Sequence, residues 1–263
     1  MPAGPIPLAA HVVGSGPDLL LFHGGRGSRN HWVRNVDALA AHFRVFALDL
    51  PGYGESPDAP HQSDPDTYFD FLYGALETLD LSGEPFQLVA FSFGAAVAAS
   101  IAPRLGRRLK TLSLIGPSGF GPGPGYPQEL RSLKGTEGPA VKEIIAHNLG
   151  LTMLSSRAAA TDEAIAIHQA NLARTRFNSH KVSIRASVVS DLKRVQCPVQ
   201  ILWGERDRLA HPSVAARVDA CRAAVPSARL DLIPGAGHWA QFENAREANR
   251  LLLEFLREKL GSE

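Results

Sequence analysis

The stretch from Phe86 to Val97 constrains the fold of this chain most strongly. It begins with the apolar run FQLVAF, which is typical of a strand, continues with Ser92, and becomes an alanine-rich segment compatible with a helix. The residues two before and two after the serine, Ala90 and Gly94, are both small. A sharp turn from a strand into a helix is crowded, and small residues at these positions relieve the crowding. The pattern predicts that Ser92 is raised above the edge of a sheet, with an ordinary serine at a helix N-cap as the alternative for this stretch alone.

Two later segments place further reactive side chains after apolar runs. Asp207 follows the run Val199–Trp203, and His238 ends the glycine-rich loop PGAGH that follows LDLI. A serine hydroxyl is a poor nucleophile until an imidazole takes its proton, and a carboxylate holds that imidazole in one tautomer. Asp207 alone could be a solvated loop residue or a helix cap, and His238 alone a structural histidine. Because all three residues follow strand-like runs in the order Ser, Asp, His, the sequence predicts a catalytic triad of Ser92, His238 and Asp207.

The first third of the chain contains two more strand-to-loop junctions. The run Asp18–Phe22 leads into His23-Gly24-Gly25-Arg26-Gly27, and the run Arg44–Asp49 leads into LPGYGES. Glycines in the first loop allow a backbone to approach a substrate closely. The second loop is interpreted as structural punctuation.

Taken together, these four segments identify the chain as a member of the α/β-hydrolase superfamily, whose triad residues follow the same chain order. The resemblance implies an α/β fold with a mostly parallel, eight-stranded sheet flanked by helices. It also implies an oxyanion hole formed by backbone N–H groups, here those of Gly25 or a neighbour and of Phe93. His23 would support the oxyanion loop rather than act as a base.

Short apolar runs alternate with helical patterns, as expected for a parallel sheet covered on both faces. The predicted strands are 17–22, 44–49, 86–91, 110–115, 198–203 and 228–233, with an earlier hairpin within 6–13. The predicted helices are 68–80, 94–104, 137–149, 161–175, 212–224 and 243–260.

Strand patterns are missing between about 115 and 198, and a run rich in glycine and proline marks the entrance to that region. The sequence therefore predicts a core domain formed by residues 1–119 and 193–263 and a helical cap formed by residues 120–192. A cap of this kind encloses an apolar cavity above the reacting groups. Candidates to line the cavity are Phe93, Phe120, Leu151, Met153, Leu154 and Trp239, with core packing as the alternative for each.

The segment GHWAQFE around His238 is similar to the catalytic-histidine segment of the meta-cleavage-product hydrolases, which cut carbon–carbon bonds of ring-fission products. A serine nucleophile argues against the dehalogenase and epoxide-hydrolase branches, which use an aspartate. In the meta-cleavage-product family a tryptophan after the histidine borders the substrate pocket, which would be Trp239 here. A cap arginine contacts the substrate oxygens, which would be Arg174 or Arg176. Each of the three could instead have a purely structural role.

Two departures from that family favour simpler chemistry. The residue before the nucleophile is Phe91 rather than asparagine, and Gly94-Ala95 replaces a Gly-Gly pair. The oxyanion loop reads GGRGS instead of Gly-Ser-Gly-Pro-Gly. The sequence therefore predicts a serine hydrolase for a small, largely apolar carbonyl substrate. That substrate is either a carboxylic ester or a carbon–carbon bond of a ring-fission product. A thioesterase and a ligand sensor that binds without turnover are the alternatives.

Composition limits the remaining classes. The 263-residue chain has a net charge of +1 and a pI of about 7.9, so it lacks the strong positive charge that is typical of nucleic-acid-binding proteins. No apolar run reaches the roughly 20 residues of a spanning helix, and the N-terminal segment has no signal-peptide pattern. Reduced thiols at Cys197 and Cys221 would suit the cytoplasm. We expect a small-molecule substrate, no metal or other cofactor, and no nucleic-acid or membrane partner; a homodimer is compatible with the sequence.

Overall fold

One sheet forms the centre of the molecule. The computed structural model describes residues 7–59, 64–83, 85–123, 127–185 and 187–260. Within them, seven strands form a single sheet in the order β1-β3-β2-β4-β5-β6-β7. β1 pairs antiparallel with β3, and every other pair is parallel. The strands are β1 Ala10–Val13, β2 Asp18–Phe22, β3 Arg44–Leu48, β4 Phe86–Phe91, β5 Leu109–Ile115, β6 Val199–Gly204 and β7 Arg229–Ile233.

Six predicted strands are confirmed to within one residue at each end, whereas the N-terminal prediction needs correction. The described residues contain seven strands rather than eight. The predicted hairpin within 6–13 begins outside the described residues, and its described part is the single strand β1. Gly14 and Gly16, in the connection from β1 to β2, have positive φ values of 83° and 112°, a backbone region that favours glycine. β1 pairs with β3, and β2 lies on the far side of β3.

Burial on both faces of the sheet explains the nearly continuous apolar runs of its strands. Along β2, Leu19 and Leu21 join one apolar cluster, while Leu20 and Phe22 join the other. Successive side chains of a strand point to opposite faces, so a parallel sheet covered on both sides needs apolar residues at every position. This two-sided burial explains why the strands could be recognised from sequence.

Helices cover both faces of the sheet. They are α1 Val36–Ala40, α2 Pro65–Leu76, α3 Phe93–Leu105, α4 Pro139–Thr152, α5 Asp162–Ala173, α6 His180–Ser183, α7 Val188–Leu192, α8 Val214–Ala224, α9 Ala240–Glu243 and α10 Ala245–Glu258. Buried residues of α2 and α3 pack in one apolar cluster and those of α10 in the other. In the described ranges, no helix is both long enough and apolar enough to cross a bilayer.

In its described residues, the segment between β5 and β6 contains the helices α4 to α7, which begin at Pro139, and no strand. α4 and α5 pack against each other, whereas α6 and α7 pack on α3. Val182, Val188 and Leu192 accordingly belong to the same apolar cluster as α3. The later part of this segment is thus continuous with the core, and its division into a cap of residues 120–192 stays a prediction.

Candidate active site

The turn between β4 and α3 raises Ser92 at the carboxyl edge of the sheet. Ser92 has φ 53° and ψ −114°, a left-handed conformation that costs a non-glycine residue about 1–3 kcal/mol. Gly94 lies so close to the loop after β2 that a Cβ atom there would be 2.4 Å from the carbonyl oxygen of His23. Ala90 is fully buried in β4. The two small residues predicted from sequence therefore occupy the crowded positions of this turn.

A continuous hydrogen-bonded chain joins the three predicted catalytic side chains. His238 Nε2 lies 2.8 Å from Ser92 Oγ, and His238 Nδ1 lies 2.7 Å from Asp207 Oδ2. Asp207 follows β6 and His238 follows β7, which is adjacent to β6. The imidazole Nδ1–H donates to the carboxylate, because an ionised carboxylate can only accept. Nε2 is then left as the acceptor for the serine O–H.

The Asp207 carboxylate is buried and fully engaged. Besides His238, the Trp203 indole Nε1–H donates to Oδ2 at 3.0 Å and the Leu209 backbone N–H donates to Oδ1 at 2.8 Å. Hydrogen bonds from three donors stabilise a charged carboxylate away from water. Gly116 packs beside this pair, where a Cβ atom would lie 3.3 Å from His238 Nδ1 and 3.4 Å from Asp207 Oδ2. These neighbours hold the imidazole in one orientation.

The glycine-rich loop after β2 lies beside the serine. Gly25 and Phe93 line one cavity together with Ser92 and His238. Among the described residues, neither the Gly25 N–H nor the Phe93 N–H has a hydrogen-bond acceptor. The Gly24 N–H, in contrast, donates to His31 Nδ1 at 3.2 Å. Of the two glycines that open the loop, Gly25 is the one whose N–H can bind an external oxygen.

Two buried histidines support this loop. His23 Nδ1 donates to the Gly24 carbonyl oxygen over 2.7 Å, and His23 Nε2 accepts the Leu50 N–H at 2.9 Å. Burial lowers the pKa of His23 to about 4, against smaller opposing effects of its bond to Gly24 and of the nearby Asp49 charge. Burial also lowers the pKa of His31 well below its usual value. Both rings are therefore neutral near pH 7, as these bonds require, and their contacts are those of structural supports.

Two cavities meet at Ser92 and His238. The larger has a volume of about 640 Å³, and the smaller, which contains Gly25 and Phe93, of about 270 Å³. Leu209 and Ser183 line both. The larger cavity is also lined by Phe120, Gln128, His180, Ile184, Trp203, Arg208, His211 and Arg217. The smaller is also lined by Arg26, Leu130, Arg131, Leu133, Ile145, Asn148, Met153, His168 and Leu172. Both cavities have a mixed lining of apolar and polar side chains, and small-molecule sites combine the two kinds.

Trp239 does not line either of these cavities. Its side chain is 1% exposed, stacks on Phe242 with ring centroids 4.1 Å apart, and donates from Nε1 to the His31 carbonyl oxygen at 3.1 Å. The indole thus has its polar atom and one ring face occupied by the protein. Its position corrects the prediction that Trp239 borders the substrate, and Leu154 is likewise buried in the core. The predicted lining residues Phe93, Phe120 and Met153 do line the cavities.

Arg174 and Arg176 are held by carboxylates at the surface. Arg174 Nη1 donates to Glu55 at 3.0 Å and Arg176 Nε donates to Asp58 at 2.6 Å. Arg176 also donates to backbone carbonyl oxygens, including that of Gly54 at 3.1 Å. Neither arginine lines the described cavities. The prediction that one of them binds substrate is therefore corrected, because both guanidinium groups lie outside these cavities and pair with acidic residues that follow β3.

Sequence reasoning missed several residues that define the site. Trp203 ends the apolar run that precedes Asp207, but nothing in the sequence shows that its indole donates to the Asp207 carboxylate. Burial lowers the pKa of His168 to about 4, with a smaller effect of the Arg26 charge, so a neutral imidazole lines the smaller cavity. Among the residues that the structure describes, no group of three His, Cys, Asp or Glu side chains could hold a metal ion. The expected lack of a metal or cofactor stays a prediction.

Comparison with known proteins identifies the family. The sequence pattern of the alpha/beta hydrolase family matches residues 19–251, which is most of the chain. The protein belongs to this family and is a hydrolase. The strand-to-helix turn at Ser92 and the fold described above are those of the family.

Individual relatives carry different names. A dihydrolipoyllysine-residue acetyltransferase component of an acetoin cleaving system from Pseudomonas putida is 32% identical, over 97% of this chain and 70% of its own length. A 2-hydroxy-6-oxononadienedioate/2-hydroxy-6-oxononatrienedioate hydrolase from the same organism is 29% identical, over 96% of this chain and 93% of its own length. The structure of a meta-cleavage product hydrolase from Pseudomonas fluorescens IP01 superposes with a TM-score of 0.74 at 23% identity, covering 95% of this chain and 94% of that one. At that identity the structural likeness concerns the fold.

Proposed function

We propose that the protein is a serine hydrolase in which Ser92, His238 and Asp207 act as a catalytic triad on a small carboxylic ester. The observation that carries this proposal is the chain of hydrogen bonds, 2.8 Å and 2.7 Å long, that ends at a cavity lined by Gly25 and Phe93. A nucleophile, a base, a group that orients the base, and oxyanion donors near the nucleophile are the parts that acyl transfer needs.

In the first half-reaction, Ser92 Oγ bonds to the substrate carbonyl carbon while His238 Nε2 takes the serine proton. The carbonyl electrons move onto oxygen, where the N–H groups of Gly25 and Phe93 stabilise the developing charge. When this intermediate collapses, the bond to the leaving group breaks and the leaving group takes the proton from His238. In the second half-reaction, water gives a proton to His238 and bonds to the acyl carbon. Collapse then returns the proton to Ser92 and releases the acid.

Asp207 serves this cycle without transferring a proton. Its Oδ2 atom holds the Nδ1–H of His238, so that Nε2 faces the serine, and its charge stabilises the imidazolium that forms. The Trp203 and Leu209 donors fix the carboxylate itself. The alignment thus exists before substrate binds, which lowers the reorganisation needed in the reaction.

Two other acyl substrates have specific support. Similarity to the 2-hydroxy-6-oxononadienedioate/2-hydroxy-6-oxononatrienedioate hydrolase supports cleavage of a carbon–carbon bond in a ring-fission product. Against it, Phe91 stands before the nucleophile, and Arg174 and Arg176 are bound to Glu55 and Asp58. The acetyltransferase relative is named for dihydrolipoyllysine, a thiol carrier, and so supports short acyl thioesters as the alternative.

The test is a side-by-side assay of p-nitrophenyl acetate, p-nitrophenyl butyrate, an acetyl thioester and one ring-fission dienoate. We expect turnover of the esters to exceed that of the dienoate, and to be lost in Ser92→Ala and His238→Ala. Ser190→Ala is the matched control, because Ser190 is exposed on α7 and its hydroxyl donates a hydrogen bond to the carbonyl oxygen of Ser187, at the start of the same helix. Near-normal ester turnover by Ser92→Ala would refute the triad.

A ligand sensor on the same fold is distinguished by covalent labelling. A fluorophosphonate reacts with a serine only when a base activates it. We expect stoichiometric labelling of Ser92, located by mass spectrometry, together with rapid ester turnover. Labelling or ligand binding without turnover of any of the four substrates would favour the sensor.

A further inference from the structure

Arginines that are half-buried in this protein are neutralised by carboxylates, with one exception. In the described residues the half-buried arginines are Arg29, Arg44, Arg185, Arg217 and Arg229. Arg29 pairs with Asp49, Arg44 with Asp18, Arg185 with Asp66 and Arg229 with Asp231, at 2.6 to 2.8 Å. Arg217 has no acidic partner within the described part of the chain.

Arg217 lies on α8 and lines the larger of the two cavities that meet at Ser92. Its guanidinium carbon is 4.1 Å from the centroid of the Phe120 ring, and Phe120 contacts Trp203 with ring centroids 5.9 Å apart. Burial lowers the pKa of Arg217, while the charge of Asp207 acts in the opposite direction. A desolvated cation without a counter-charge is unfavourable, and a bound anion relieves that cost.

The lining of the larger cavity offers Arg217 no internal anion. Of its described lining residues only Asp207 is acidic, and the oxygens of Asp207 already accept from His238, Trp203 and Leu209. Arg208, the other cavity arginine, donates to the carbonyl oxygens of Gly150 and Ser155 at 3.2 and 3.3 Å. Among the described residues, Arg217 is thus the half-buried arginine of this cavity that has neither a carboxylate within ion-pair distance nor a hydrogen-bond acceptor.

We propose that Arg217 binds a carboxylate of the substrate, so that the preferred substrate is a carbonyl compound carrying a second, acidic group in the larger cavity. This inference rests on the proposed ester hydrolysis and deepens it. With one face of the guanidinium stacked on Phe120, its in-plane N–H groups can form paired hydrogen bonds to a planar carboxylate. The residue that binds the substrate carboxylate is then Arg217 on α8 rather than Arg174 or Arg176.

The test compares esters that differ only in a remote carboxylate. One pair is 4-nitrophenyl butyrate and 4-nitrophenyl hydrogen glutarate, with the charge on the acyl group. The other pair is phenyl butyrate and 4-carboxyphenyl butyrate, with the charge on the leaving group. We expect the wild type to prefer the charged member of at least one pair. In Arg217→Gln, kcat/KM for that substrate should fall about 10- to 100-fold, mainly through KM, as expected for loss of a hydrogen bond to a charged group.

Two variants separate recognition from packing. Arg217→Lys keeps the charge and should retain part of the preference. Arg222→Gln is the matched control on the same helix, because Arg222 is exposed, is 3.6 Å from Asp219 and does not line the cavity. Turnover of all the esters should change less than about threefold in Arg222→Gln, whereas in Arg217→Gln turnover of the neutral esters should fall clearly less than turnover of the charged ester.

Several outcomes would overturn the inference. If the wild type hydrolyses esters but shows no preference that depends on Arg217, the carboxylate subsite is refuted while the proposed function stands. Equal losses on neutral and charged esters, with a lower melting temperature, would assign Arg217 to packing on Phe120. If no ester is hydrolysed, the proposed function fails, and calorimetric binding of glutarate and 4-hydroxybenzoate decides the matter. Equal binding of both by wild type and Arg217→Gln would then refute the subsite.

Discussion

Replacing Gly94 by alanine tests the physical basis of the turn at Ser92. Gly94 is the second residue of α3, and a Cβ atom there would lie 2.4 Å from the His23 carbonyl oxygen and 3.0 Å from that of Phe22. Both contacts are with backbone, so no side-chain rotation can relieve them. Ordinary contact begins at 3.4 Å, which is about 1 Å more than the first distance. The start of α3 must therefore move by about that amount away from the loop after β2.

This displacement should affect both stability and catalysis. Forcing an extra methyl into a packed site costs about 1–3 kcal/mol in the free energy of unfolding. The Phe93 N–H and Ser92 Oγ move with the start of α3, and a misplacement of about 1 Å can lower turnover about 10²-fold. Urea denaturation and kcat on p-nitrophenyl butyrate measure the two effects separately.

Gly74→Ala is the control, because the same atom is added in a different environment. Gly74 lies inside α2, and a Cβ there would meet no atom within 4 Å. Alanine should stabilise that helix by about 0.5–1 kcal/mol and leave kcat unchanged. Wild-type stability and activity of Gly94→Ala would refute the steric account of this turn.

Three further outcomes follow from the site. Ser92→Ala and His238→Ala should each lower kcat by about 10³-fold or more while far-UV circular dichroism stays that of the wild type. Gly25→Ala places a methyl against Ser179 and should displace an oxyanion donor, lowering kcat by about 10²-fold without a comparable change in KM. Below pH 6.5 the unfolded chain protonates His23, His31 and His168 while the folded chain keeps these rings neutral, to about pH 4 for His23 and His168, so each ring should lower the free energy of unfolding by up to about 1.4 kcal/mol per pH unit as pH falls through this window. Urea denaturation between pH 7.5 and 4.5 measures that slope, and its absence would contradict the buried neutral state of His23.

Much of the sheet was predictable because each central strand is buried on both faces. Such strands read as short apolar runs, and the ends of those runs place Ser92, Asp207 and His238 without any knowledge of the fold. β1 was mispredicted because it is an edge strand with the burial pattern of a half-exposed segment. Its partner, β3, is distant in sequence, so no local apolar pattern identifies the pairing.

Predictions about substrate contacts failed where long-range partners decide the orientation of a side chain. The segment GHW shows that an indole follows His238, but not that the Trp239 indole turns inward to the His31 carbonyl oxygen. Arg174 and Arg176 lie in the expected region of sequence, yet their partners Glu55 and Asp58 come from a loop early in the chain. The sequence position of an arginine therefore does not show whether its guanidinium group faces the substrate or pairs with a carboxylate of the protein.

Membership in the family predicts the reacting groups better than it predicts the substrate. The groups proposed to react, Ser92 and His238, lie in loops that follow strands of the sheet. In such places even one added methyl group can clash with backbone atoms, as at Gly94. The cavity walls come largely from the loop after β5 and from the helices between β5 and β6, where side chains such as Ile184 and Arg131 can change without disturbing the sheet. Relatives of about 30% identity, which are named for different reactions, can therefore match this chain over most of its length and still differ in the side chains that select the substrate. A half-buried arginine without a carboxylate partner among the described residues, such as Arg217, is then better evidence for the substrate than the names of the relatives, because its desolvation has a free-energy cost in this chain.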